Sequence, residues 1–141
     1  MIIKQLAVFL ENKSGRLSEV TETLAEQNIN ISAFSIADTS DFGILRMITS
    51  DPVKAEKVLK EKGFSVHTND VIALKVPHTP GALSLALKIF SNEGIDIEYM
   101  YAFAIKDCAS VIIRTENVPR AIETLLKHKM ELLNASQLYE L

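Results

Sequence analysis

The stretches NKSGRLSEV (12–20) and HTPGALSLA (78–86) decide the fold of this chain, because the same turn into a helix occurs in both. Gly15 and Gly81 lie at the same place in the two stretches, and each is followed at the same spacing by a Leu and a Ser. The two glycines are 66 residues apart in a chain of 141 residues. An internal repeat of this length predicts two copies of one supersecondary unit.

The repeat extends well beyond the two turns. Residues 6–60 align with residues 72–126 without a gap. The identical pairs fall at turns and at apolar positions, and they are Ala7/Ala73, Gly15/Gly81, Leu17/Leu83, Ser18/Ser84, Ile29/Ile95, Ile31/Ile97, Asp41/Asp107, Thr49/Thr115, Ala55/Ala121 and Leu59/Leu125. Identity at these positions preserves the order and the periodicity of the elements from one copy to the other.

Each copy is predicted to run strand, helix, strand, strand, helix, strand. The stretch IIKQLAVFL (2–10) alternates as a half-buried strand does, and Leu17, Val20 and Leu24 recur at helical spacing. NINISAFSIAD (28–38) is rich in the β-branched and aromatic residues that favour strands. The order is that of the ferredoxin-like βαββαβ unit.

The second helix of each copy carries recognisable end signals. Asp51 is a suitable N-cap, Pro52 suits the first helical position, and Gly63 suits the position just past the end. Asn117, another N-cap residue type, takes the place of Asp51 in the second copy. These signals predict that the second helix begins at the same point of both copies.

We therefore expect an α+β fold of two ferredoxin-like units, 1–69 and 70–141, packed as a pseudo-symmetric pair. The C-terminal stretch MELLNASQLYEL (130–141) predicts a strand of about 12 residues. Its counterpart in the first copy is 64–75, which overlaps the first strand of the second copy. The sequence is compatible with a hairpin or with one continuous strand over residues 64–77.

Composition excludes several classes of function. The formal net charge of −3 gives no electrostatic footprint for nucleic acid or an anionic membrane. No stretch approaches the roughly 20 apolar residues of a membrane span. The N-terminus alternates like a strand and lacks the pattern of a signal peptide, so we expect a cytoplasmic protein.

The chemistry-bearing residues do not form a catalytic or metal motif. Cys108 is the only cysteine, and His67, His78 and His128 have no partner at metal-ligand spacing. The chain shows no nucleophile with an adjacent base, no paired carboxylates in a cleft motif and no phosphate loop. We expect no metal, no cofactor and no enzymatic activity.

The two turns carry the best candidate chemistry. We call residues 12–17 the N-terminal elbow and residues 78–83 the C-terminal elbow. A helix that starts there exposes unpaired backbone N–H groups and the positive end of its dipole, and Gly15 or Gly81 lets a ligand approach the backbone. Such a site suits a carboxylate. The alternative is that the glycines only make a turn and Ser14 only caps a helix.

The motifs at these positions resemble those of the ACT domain, a regulatory module that senses amino acids. ENKSGRL (11–17) and PHTPGAL (77–83) resemble its first-elbow motif, with Ser14 in place of the usual proline and His78 in place of the usual Asn or Asp. QNINI (27–31) and EGIDI (93–97) fit its second signature, at the start of strand two. The resemblance covers nearly the whole chain, once for each copy.

The resemblance implies where a ligand is bound. In the family, an amino acid lies between two units, where the elbow of one meets the start of strand two of the other. Carried over by position, one candidate site consists of Asn12, Ser14, Gly15, Arg16 and Leu17, and the other of His78, Thr79, Pro80, Gly81, Ala82 and Leu83. The implied contacts from another unit are Asn30, Ile31, Asp96 and Ile97.

The resemblance also implies a function. It predicts a regulatory protein that binds a free amino acid or related metabolite and acts through a ligand-dependent change at domain or subunit interfaces. The expected associations are a homo-oligomer such as a dimer, and an enzyme partner in trans. Leu17 and Leu83 favour an apolar or aromatic ligand. Because only the first copy keeps the elbow Asn, we expect Asn12→Ala to weaken binding more than His78→Ala; the number of working elbows stays open.

Two other functions remain as alternatives. One is a ferredoxin-like interaction module without a ligand. The other is an RNA-binding platform, because the RNA-recognition motif shares this topology and Tyr99, Tyr101 and Phe103 alternate along one strand. The third strands DFGILRMI (41–48) and DCASVIIR (107–114) lack the basic and aromatic pattern of that motif.

Overall fold

The structure is a computed structural model that describes residues 1–11, 13–38 and 41–139. Its elements in chain order are β1 (Ile3–Glu11), α1 (Arg16–Glu26), β2 (Ile31–Asp38), β3 (Phe42–Thr49), α2 (Pro52–Glu61), β4 (Ser65–Pro77), α3 (Ala82–Asn92), β5 (Ile97–Ile105), β6 (Cys108–Thr115), α4 (Val118–Lys127), β7 (Glu131–Leu133) and α5 (Ala135–Tyr139). The predicted order of elements is confirmed in both copies.

The chain divides into two compact units. The N-terminal unit consists of residues 4–69 with the segment from Ser136 onward, and the C-terminal unit consists of Asp70–Ala135 with Met1–Ile3. The division after Asn69 falls inside β4, which is one continuous strand from Ser65 to Pro77. Residues 64–77 therefore do not form a hairpin.

Each unit has the sheet of a ferredoxin-like fold. The strand order is β2-β3-β1-β4 in the N-terminal unit and β5-β6-β4-β7 in the C-terminal unit. The pairings β1–β3, β2–β3, β4–β6, β5–β6 and β4–β7 are all antiparallel. The fold class predicted from the repeat, two ferredoxin-like βαββαβ units, is confirmed.

One sequence-based prediction, a strand over residues 130–141, is wrong. The strand β7 ends at Leu133, and the five-residue helix α5 follows from Ala135. Asn134 and Ser136 are residue types that favour turns and helix starts over strands. The helical turn also buries Leu138 completely. Residues 140 and 141 lie outside the described residues.

Each unit has its own hydrophobic core between its helices and one face of its sheet. The core of the N-terminal unit contains Leu6, Val8, Leu10, Val20, Leu24, Ile29, Leu45, Met47, Ala55, Leu59, Phe64 and Val66. The core of the C-terminal unit contains Ile72, Leu74, Val76, Ala86, Phe90, Val111, Ile113, Val118, Ala121, Leu125 and Leu132. Many of these residues occupy equivalent positions in the two copies, which explains why the repeat preserves apolar character more than identity.

The predicted caps of α2 and α4 are confirmed. The Oδ1 atom of Asp51 accepts a hydrogen bond from the Lys54 N–H at 3.1 Å, and Oδ1 of Asn117 accepts one from the Arg120 N–H at 3.1 Å. Gly63 follows the C-cap of α2 with φ = 90°, a left-handed conformation that glycine adopts without strain.

Asp51→Ala is expected to lower the free energy of unfolding by about 1 kcal/mol, because it removes the side chain that caps α2. Urea denaturation followed by circular dichroism measures the change. The matched control is Ser14→Ala, which removes an exposed hydroxyl at the start of α1, where no side chain caps the helix. Equal losses in the two variants would contradict the assignment.

Candidate functional site

The two elbows have nearly the same backbone geometry. Gly15 is the N-cap of α1 with φ = 87°, and Gly81 is the N-cap of α3 with φ = 88°. A Cβ atom added to either glycine would meet no other atom within 4 Å. The positive φ, and not crowding, is therefore what requires glycine here. The space above both glycines is open.

The helices that start at the elbows differ from the other long helices in how they begin. Among the residues that the structure describes, no side chain caps α1 or α3, whereas Asp51 and Asn117 cap α2 and α4. The interpretation of Ser14 as a helix cap is therefore wrong. At the same point of each unit, therefore, none of the described side chains caps the positive end of the helix dipole.

A cavity of about 300 Å³ lies beside the C-terminal elbow. Its lining is mostly apolar and consists of Val76, Pro77, His78, Thr79, Leu83, Ala102, Phe103, Ala104, Ala109 and Val111. The His78 N–H donates a hydrogen bond to the Asp107 carbonyl at 2.7 Å. This bond fixes the elbow to the turn between β5 and β6, the two strands that form the opposite wall.

A smaller cavity of about 170 Å³ lies beside the N-terminal elbow. It is lined by Leu10, Glu11, Lys13, Arg16, Leu17, Ile36 and Gly43. Since β1 pairs with β3, Leu10 lies opposite Gly43 and brings the end of β1 next to the start of β3. The cavity is thus built by the same elements as its counterpart in the C-terminal unit.

Charged side chains distinguish the N-terminal elbow. Lys13 Nζ lies 2.9 Å from Glu11 Oε2, and a nitrogen of the Arg16 guanidinium lies 3.2 Å from Glu19 Oε2. The hydrogen bond and the charge of Lys13, together with the charge of Arg16, lower the pKa of Glu11. The Arg16 guanidinium also lies 5.8 Å from the centre of the Phe64 ring, a cation–π distance.

The structure brings some of the predicted site residues together and separates others. Gly15, Arg16 and Leu17 lie at the N-terminal elbow, with Ser14 exposed in the turn before them, and residues 78–83 form the C-terminal elbow. Asn12 lies outside the described residues, so its predicted role stays a prediction.

The start of strand two is far from the elbow of its own unit. Ile31 pairs with Thr49, whereas Leu10, at the elbow, lies opposite Gly43. Gly43 and Thr49 are six residues apart along β3, which is about 20 Å at the rise of a strand. Asn30 and Ile31 therefore do not contact the elbow of the N-terminal unit, and the antiparallel pairing of β5 with β6 separates Asp96 and Ile97 from theirs.

The start of β5 borders a different cavity. Asp96 helps to line a polar cavity of about 100 Å³ with Gly94, Ile95, Glu116, Asn117 and Arg120. The contact between these residues and the elbow of another unit, which the family pattern implies, stays a prediction.

Sequence reasoning missed part of both elbow cavities. The missed residues are Leu10, Glu11, Lys13, Val76 and Pro77, at or just after the end of strand one, and Ile36, Gly43, Ala102, Phe103, Ala104, Ala109 and Val111, from the end of strand two and the start of strand three. The ferredoxin-like topology places the latter two segments beside the end of strand one. The repeat and the strand register together could therefore have identified them.

Within residues 1–11, 13–38 and 41–139, no group of three or more His, Cys, Asp or Glu side chains is placed to hold a metal ion. In the same part of the chain, no helix has the length and apolar character needed to cross a membrane. Tyr99, Tyr101 and Phe103 are half-buried along β5.

The comparison with protein families identifies the fold family. The model of the ACT domain pair matches residues 1–141. The chain belongs to the ACT domain family. ACT domains are regulatory modules, and this chain carries two of them, each with one elbow.

Solved structures extend the comparison of this ACT domain pair. Protein BT0572 from Bacteroides thetaiotaomicron is 55% identical with a TM-score of 0.97, and the match covers 100% of this chain and 98% of that one. The regulatory subunits of aspartate kinase from Thermus thermophilus and Thermus flavus are 17% and 20% identical, with TM-scores of 0.63 and 0.59; each match covers 88% of this chain and 90% of theirs. The comparison with curated proteins finds no match.

Proposed function

We propose that this ACT domain pair binds a free amino acid or a closely related metabolite at an elbow and acts as a regulatory sensor. The ligand carboxylate accepts hydrogen bonds from the backbone at the start of α1 or α3, and its side chain enters the adjacent cavity. In this proposal the protein performs no catalysis of its own and works in the cytoplasm.

The observation that carries this proposal is the contrast among the four long helices. The N-cap side chains of α2 and α4 each accept a backbone N–H, while none of the described side chains caps α1 or α3, which begin next to a cavity. An uncapped N-terminus supplies N–H donors and a favourable dipole for an anion. The cavity supplies space for the rest of a small ligand, which a helix end alone does not.

The proposed output is a shift between two arrangements of the protein. A ligand stabilises one arrangement only to the extent that it binds that arrangement more tightly. The occupied elbow then changes a surface that the chain presents to a second copy, as in a homodimer, or to an enzyme in trans. Ligand binding would accordingly be coupled to that association, and each would strengthen or weaken the other equally.

We expect at least one of the twenty amino acids to raise the melting temperature in a dose-dependent way. A ligand at 100 times its dissociation constant adds about 2.7 kcal/mol to the free energy of unfolding, which corresponds to a shift of several degrees. Differential scanning fluorimetry across the twenty amino acids and their α-keto acids measures this. If none of them stabilises the protein, the sensor function is wrong. Retention of single-stranded RNA at physiological salt would instead support the platform alternative.

A further inference from the structure

The two elbow cavities are equivalent in position but not in chemistry. Six pairs of residues, each related by the repeat of 66, line both: Leu10/Val76, Glu11/Pro77, Lys13/Thr79, Leu17/Leu83, Ile36/Ala102 and Gly43/Ala109. Four of these pairs keep a small or apolar residue in both copies. At the other two positions, the N-terminal cavity has the charged Glu11 and Lys13 where the C-terminal cavity has the uncharged Pro77 and Thr79. Charge is thus the main chemical difference between the two walls.

The C-terminal cavity has the properties of a site for an apolar side chain. Apart from His78 and Thr79, its lining residues are all apolar. An apolar group that enters it removes apolar surface from water and leaves no charged group without solvent. Its volume of about 300 Å³ is also larger than the 170 Å³ of the N-terminal cavity, where Ile36 replaces the smaller Ala102.

The N-terminal cavity has the opposite properties. An apolar group that enters it displaces water from the Glu11–Lys13 ion pair and from the Arg16 guanidinium, and it offers them no hydrogen bond in return. Removing water from charged groups without a new partner is unfavourable. Lys13 and Arg16 lower the pKa of Glu11, so the nearby cations stabilise its ionised form.

We infer that the chain binds one amino acid with an uncharged, apolar side chain, in the C-terminal elbow cavity, and that the N-terminal elbow cavity rejects this ligand. This inference rests on the proposed function and specifies its ligand class and its stoichiometry. It also reverses the order expected from the motif: His78→Ala, and not Asn12→Ala, has the larger effect on affinity. The C-terminal elbow is then the ligand site, and the N-terminal elbow is a copy that does not bind this ligand.

The test introduces the ion pair into the C-terminal elbow cavity and removes it from the N-terminal elbow cavity. The variant Pro77→Glu/Thr79→Lys places the ion-pair residues at the equivalent, exposed positions of the C-terminal cavity. The matched variant Glu11→Gln/Lys13→Thr removes the pair from the N-terminal cavity. Calorimetric titration of the full chain and both variants uses L-valine, L-leucine and L-phenylalanine, with L-glutamate for comparison. Circular dichroism checks that each variant is folded.

We expect one site per chain for the best of the three apolar amino acids, and weaker binding of glutamate. Pro77→Glu/Thr79→Lys should lower the apolar affinity at least tenfold, and Glu11→Gln/Lys13→Thr should leave it within about twofold. Two equivalent sites per chain, or the reverse order of the two variants, would overturn the inference and leave the sensor function standing. Tighter binding of glutamate than of all three apolar amino acids would do the same. If neither these ligands nor any other amino acid binds, the proposed function itself fails.

Discussion

Ala102→Glu is expected to lower the affinity for an apolar amino acid at least about a hundredfold. Ala102 is exposed on β5 and lines the C-terminal elbow cavity. A glutamate there occupies the space of the ligand side chain and places a negative charge near the helix start that we propose for the ligand carboxylate. Excluding a side chain of leucine size from an apolar site forfeits about 1.5–3 kcal/mol, which alone is roughly a 10- to 150-fold loss. Charge repulsion adds to this loss.

The repeat supplies the control for this experiment. Ile36 occupies the position equivalent to Ala102, is also exposed, and lines the N-terminal elbow cavity. Ile36→Glu therefore makes the same chemical change at the other elbow and should leave affinity for the apolar amino acid within about twofold. Isothermal titration calorimetry measures both variants. If Ile36→Glu abolishes binding and Ala102→Glu does not, the ligand occupies the N-terminal elbow and our assignment is reversed.

Local signals in the sequence were sufficient to predict the helix starts and the elbows. Asp51 and Asn117 cap helices because a short polar side chain reaches the N–H three residues on, which depends on nothing distant. Gly15 and Gly81 adopt a positive φ for an equally local reason. The repeat then predicts the same order of elements in both copies. These parts of the fold needed no knowledge of long-range contacts.

The walls of the elbow cavities depend on long-range pairing instead. Ile36 reaches the N-terminal elbow because β2 and β3 pair in one register, with Ile36 opposite Leu45. A shift of one residue would turn Ile36 to the other face. The same pairing places Ile31 far from the elbow of its own unit, and the motif pattern likewise implies a contact of Ile31 with the elbow of another unit only. The C-terminal helix α5 was missed because its five residues are too few to show a helical period.

The second large effect concerns stability. Leu59→Ala and Leu125→Ala are each expected to lower the free energy of unfolding by about 2–5 kcal/mol, since they leave a cavity in a packed core. The two leucines are identical residues of the repeat, both fully buried, one in the core of each unit. Val53→Ala is the control, because Val53 lies on α2 with 81% of its surface exposed. For this variant, the free energy of unfolding measured by urea denaturation should change by less than about 0.5 kcal/mol.

We further expect both leucine variants to shift one and the same unfolding transition. The strand β4 runs through the division between the units, so the unfolding of either unit frees one end of a strand that the other unit needs. Each unit also includes a terminal segment of the chain from the far side of the repeat: Met1–Ile3 belongs to the C-terminal unit, and the segment from Ser136 onward to the N-terminal unit. Ile3 and Leu138, in those segments, are fully buried. Two separate transitions, of which each variant moves only one, would show instead that the ACT units unfold independently despite the shared strand.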